Sequence, residues 1–236
     1  MSSAQVRDIL AQLERRGTKK NVEGMARYAI TAPKVFGVSV GDLRDIAKKT
    51  GKDHDLAMEL WDSGWYEARM LTAFVDDPKL VTPAQMDRQA REFDNWAICD
   101  ALCFHLYDKT PHAWAKIEEW GGQKPEFVKR AGFALLASVA LHDKKAPDAP
   151  FLKSLRLIER EATDDRNFVR KAVNWALRGV GGRNPVLFDA AREVAKRLAA
   201  SDDSTARWNG KDALRQFAGP ACQKRLASQK KKAKSK

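Results

Sequence analysis

A chain of 236 residues, 44% hydrophobic and 31% charged, can build one sizeable domain or one short solenoid, and global disorder is excluded. No stretch approaches the ~18 apolar residues of a membrane span, so no membrane partner is expected. The net charge is +12, and the five lysines of the terminal QKKKAKSK still leave +7 on the rest, so the body itself is cationic and suited to a polyanion.

In chain order, VRDILAQLERR from Val6 predicts an amphipathic helix, with acidic residues that do not fit a signal peptide, so a cytoplasmic location is expected. VGDLRDIAKKTG, HDLAMELWDSG and WYEARMLTAFV follow, each with apolar residues three and four apart. VKRAGFALLASVAL, VRKAVNWALRGV and LFDAAREVAKRLAA repeat the pattern in the second half. Breaks at Thr50-Gly51, Ser63-Gly64, Thr82-Pro83, Thr110-Pro111, Gly121-Gly122, Pro147 to Pro150 and Asn184-Pro185 separate eleven to thirteen predicted helices. Residues 1–226 read as one repeat domain and 227–236 as a disordered Lys-rich tail.

The helices also repeat. FVKRAGFALLA starts at Phe127 and FVRKAVNWALR at Phe168, and RWNGKDALRQF places Lys211 40 residues after Lys171. WYEARMLTAFV, around Arg69, is a weaker relative. A period near 40 with two helices per unit falls in the HEAT or armadillo range. The expected fold is all-α, an α-solenoid of HEAT-like repeats with a concave, positively charged face. Arg69, Arg130, Lys171 and Lys211 occupy equivalent positions in the repeat, which predicts a track of cations for a phosphate backbone, with Lys129 beside Arg130.

Three cysteines, Cys99, Cys103 and Cys222, make no disulfide framework and read as small buried side chains, so no metal or other cofactor is expected. The chain contains no Gly-rich phosphate loop, no HExxH and no GxSxG. FDNWAICDALCFHL is the most informative segment. Trp96 and Asp100 are four apart and share a helix face, a carboxylate within reach of an indole, which suits a site that must meet positive charge. Trp175 lies between Lys171 and Arg178 on one predicted helix. The other tryptophans read as packing or surface residues, and the Asp164-Asp165 pair as solvated.

MARYAITAPKVFGVSVGDLRDIAKK, NWAICDAL, EFVKRAGFALL and FVRKAVNWALR, in this order and spacing from about Met25 to Leu214, resemble the AlkD-type DNA alkylation repair proteins. That resemblance implies HEAT-like repeats whose concave face binds duplex DNA. It further implies a glycosylase for cationic N3- and N7-alkylated purines that does not flip the damaged base. The family's catalytic tryptophan and aspartate fall on Trp96 and Asp100, its second catalytic tryptophan on Trp175, and DNA-contacting arginines on Arg130 and Arg178. Three positions depart from the pattern: Asn95 stands where the family has an aromatic, Ala97 where it has an aspartate, and Ser39 where it has a glutamine. The expected partner is double-stranded DNA with alkylated bases, bound by a monomer. The alternatives are a non-catalytic binder of duplex or branched DNA and a protein-interaction scaffold.

Overall fold

The computed structural model describes residues 3–234, which are all-helical: fourteen α-helices, one 3₁₀ turn and no strand among them. This exceeds the predicted number because two helices lack a legible apolar stripe. One is the helix Lys19–Ala26, which buries none of its residues. The other is the C-terminal helix, whose lysines read as a tail. No described helix is long and apolar enough to cross a membrane. The chain divides into two compact units, one ending at His112 and the other starting at Ala113.

The first unit holds α1 (Ala4–Arg16), α2 (Lys19–Ala26), α3 (Val40–Thr50), α4 (His54–Asp62), α5 (Tyr66–Val75), α6 (Pro83–Arg91), α7 (Trp96–His105) and the 3₁₀ turn Tyr107–Lys109. Six of its seven α-helices start where a short polar side chain can take orphan backbone N–H groups, α5 after Trp65 being the exception. Ser3, Thr18, Ser39, Asp53, Thr82 and Asn95 each accept from the first turn, which typically contributes about 1 kcal/mol per cap. Helix α5 is central, packing against α3, α4 and α7. Leu56, Leu60, Trp61, Ala68, Leu71 and Ala73 have almost no exposure and fill this core.

The second unit holds α8 (Ala113–Gly121), α9 (Glu126–His142), α10 (Asp148–Arg160), α11 (Asn167–Gly181), α12 (Pro185–Ala199), α13 (Ser204–Ala218) and α14 (Pro220–Lys234). Pairing follows the repeat. Helices α9, α11 and α13 lie in one row, and α8, α10 and α12 in a second row behind them. The matched Phe127 and Phe168 meet with ring centroids 5.4 Å apart, and the Arg170 guanidinium sits 4.5 Å from the ring of Trp208, the counterpart of Phe168 one repeat later. The 40-residue period is therefore a packing register as well as a sequence pattern. Glycine sets the closest approach within a pair. A Cβ on Gly210 would lie 2.2 Å from the backbone N of Ala199, so α13 can meet α12 only without a side chain there.

The expected tail from 227 is helical as far as Lys234, and Ser235 and Lys236 lie outside the described residues. Cys222 and Leu226, one turn apart and buried, dock α14, and the straight-chain residues beyond them carry the helix on. All three cysteines are free and buried.

Candidate functional site

Helix α7 begins at Trp96 because Asn95 caps it. The Asn95 side chain is buried and accepts from the backbone N–H of Ala97 at 3.0 Å and of Ile98 at 3.1 Å. An aromatic at position 95 could not do this. Ile98, Cys99, Leu102 and Cys103 turn inward, while Trp96, Ala97, Asp100 and Phe104 form a half-buried stripe. The indole and the carboxylate thus share the accessible face of α7.

The Trp96 indole is tied at one edge. Its Nε1–H donates to the Tyr28 carbonyl at 2.8 Å. Tyr28 follows α2 and is 70% exposed, the largest exposure among the bulky hydrophobic side chains. The segment after it is held by Glu67 of α5, a wholly buried carboxylate that accepts from the backbone N–H groups of Phe36, Gly37 and Val38, the Gly37 bond being 2.7 Å. Phe36 then stacks on Trp65 with centroids 3.8 Å apart. Gly37 has φ +83°, a left-handed conformation that favours glycine. Ser39 closes the segment by capping α3, accepting from Asp42 N–H at 3.1 Å. Sequence reading missed Glu67. Its signal was a lone carboxylate inside the otherwise apolar helix around WYEARMLTAFV.

The cations predicted to form one track differ in exposure. Arg69 packs over Trp61 at 4.7 Å and pairs with Glu92 at 3.1 Å. Arg130 is 6% exposed and donates from Nη1 to the Phe168 carbonyl at 2.6 Å, tying α9 to the start of α11. Lys129 is buried between Glu161 at 2.7 Å and Asp164 at 3.1 Å. Lys171 and Lys211 are exposed. On α11, Lys171, Trp175 and Arg178 lie on its least buried face, above the buried Ala172, Val173, Ala176 and Leu177. Trp96, Asp100 and Arg69 belong to the first unit, and the remaining candidates to the second.

Asp164, read as solvated, is instead the acceptor of an internal ion cluster. Arg166 bonds it at 2.9 and 2.6 Å, and Lys129 approaches from the other side. The Arg166 guanidinium, working with Lys129 against the opposing effect of burial, holds its carboxyl down at about 2. A depressed carboxylate contributes stability above its unfolded pKa near 4 and loses it as pH falls through about 2. Asp164→Asn should therefore be less stable than the parent by about 2 kcal/mol at pH 6, with the gap closing towards pH 2. Urea unfolding across that range reads it, and a gap independent of pH would remove the ion cluster as its cause.

The model of the family described as DNA alkylation repair enzyme matches residues 9–217. The chain belongs to this family. A solved structure reported as "a new family of proteins related to the HEAT-like repeat DNA glycosylases with affinity for branched DNA structures" is similar to it, with a TM-score of 0.73 and 20% identity, over 89% of this chain and 94% of the other. At that identity the likeness establishes the HEAT-like fold. No curated protein matches the chain. The indole and carboxylate on α7 and the Trp175 face of α11 are half-buried, each within its own unit.

Proposed function

We propose that this DNA alkylation repair protein is a glycosylase that excises cationic N3- and N7-alkylated purines from duplex DNA without base flipping. The observation that carries this reading is the placement of Trp96 and Asp100 one turn apart on the accessible face of α7, with the indole anchored by the Tyr28 carbonyl. Family membership and the excess of positive charge support it.

Alkylation at N3 or N7 puts a positive charge on the purine. When the C1′–N bond breaks, its electron pair goes to the base, which leaves neutral and needs no general acid. Positive charge develops on the sugar as an oxocarbenium-like species. A carboxylate aimed at that sugar stabilises the transition state more than the ground state. Asp100 takes this role and orients the water whose oxygen bonds to C1′, with the water's proton passing to Asp100 or to solvent. The face of Trp96 packs on the deoxyribose and attracts its polarised C–H groups, and Trp175 offers an aromatic face to DNA within its own unit. Lys171, Lys211 and Arg178 contact phosphates and set register. Selection rests on the lability of the glycosidic bond, so neutral lesions are poor substrates.

The test is release of 7-methylguanine and 3-methyladenine from methylated duplex DNA under single-turnover conditions. Release above the spontaneous rate supports the reading, and its absence at saturating protein would overturn it. A second reading, binding of branched DNA without excision, is favoured by the branched-DNA affinity of the similar solved structure and by Asn95 and Ala97 beside Trp96. Tighter binding to a four-way junction than to a duplex, with no base release, would select it.

A further inference from the structure

Within the second unit, an open cavity of about 330 Å³ lies between the end of α9, the middle of α11 and α14. Its walls bring together Lys144, Arg178 and Arg225 and contain no carboxylate. Two other cavities of the unit differ in this respect, one setting Asp189 beside Arg192 and the other Glu118 beside Lys153. The three cations also differ from several others of the unit. Lys116, Lys129, Lys153, Lys196 and Arg197 each pair with a glutamate. Among the described residues no carboxylate pairs with Lys144, Arg178 or Arg225. Arg178 is held by neutral acceptors, the Gln216 side-chain oxygen and the Asn174 carbonyl, which orient its guanidinium and leave its charge uncompensated.

The rest of the cavity suits a ring. Trp175, Gly179 and Gly182 also line it. A Cβ on Gly182 would lie 2.6 Å from Nη2 of Arg225, so the bare glycine makes the room in which that guanidinium sits. An anionic group beside a small ring, met by three cations and one aromatic face, is the chemistry of a sugar-phosphate strand.

We propose that this cavity is a phosphodiester subsite for a DNA strand bound along the second unit, with Lys144 and Arg225 as phosphate ligands beside Arg178. Neither residue belongs to the repeat-derived cation track. The subsite rests on the DNA reading above and deepens it, by extending the interface onto the loop after α9 and onto α14.

The experiment is a fluorescence-anisotropy titration of a labelled 25-base-pair duplex from 50 to 250 mM NaCl. It compares the full chain, the double variant Lys144→Gln/Arg225→Gln and the control Lys153→Gln/Lys196→Gln, which removes the same charge elsewhere in the unit. The slope of log K against log salt should fall by about 1.8 in the first pair and stay near the parent value in the control. Equal slopes for the parent and Lys144→Gln/Arg225→Gln, with both folded by circular dichroism, would overturn the subsite while leaving DNA binding intact. Equal losses in the two double variants would also overturn it, because bulk charge alone would then explain the effect. A parent protein that binds no duplex at 50 mM NaCl would sink the DNA reading and the subsite together.

Discussion

Asp100→Asn is expected to bind methylated duplex DNA at least as tightly as the parent and to lose excision by a factor of about 10² to 10³. The substitution keeps size and hydrogen-bonding shape and removes the negative charge. That charge opposes the phosphates in the ground state, so binding should not suffer from its loss. In the transition state it faces a sugar with developing positive charge. A preorganised group of this kind is worth about 3–4 kcal/mol in the barrier, which sets the expected factor. Single-turnover release of 7-methylguanine, with protein in excess, separates chemistry from binding. Excision at the parental rate would remove Asp100 from the mechanism. The half-buried position on α7 makes the test interpretable, because Asn95 caps the helix and Ile98, Cys99 and Leu102 anchor it independently of position 100.

The second large effect is on stability. Glu67→Ala should lower Tm by about 10 °C. The carboxylate is wholly buried and accepts from three backbone N–H groups of the segment before α3. Alanine leaves those donors buried without their acceptor, at about 1–3 kcal/mol each before relaxation, and leaves a void as well. A loss of about 3–5 kcal/mol in a chain of this size corresponds to roughly that shift. Glu67→Gln keeps one acceptor oxygen and should fall between the two. Thermal unfolding followed at 222 nm reads all three proteins, and a Glu67→Ala midpoint within 2 °C of the parent would show that the segment is held by other contacts. The segment also carries Tyr28, whose carbonyl holds Trp96, so Glu67→Ala should loosen the indole before the helix core is disturbed.

Helix content, the 40-residue repeat and the shared helix face of Trp96 and Asp100 were legible in the sequence for a common physical reason. Each is a local periodicity, and a helix converts spacing of three or four directly into a shared face. The packing of Phe127 on Phe168 follows from the same register. The residue types alone also carried the cationic character and the absence of a disulfide framework. The tertiary structure decided which charges remain available. Arg69, Arg130 and Lys129 look equivalent to Lys171 and Lys211 along the chain, but the first three meet Glu92, the Phe168 carbonyl, Glu161 and Asp164 inside their units. Those partners lie 23 to 38 residues away, beyond any local pattern. Burial makes an unpaired charge expensive, so long-range partners, not repeat position, determine which cations reach solvent. Glu67 escaped the sequence reading on the same ground: it depends on a backbone segment some thirty residues distant.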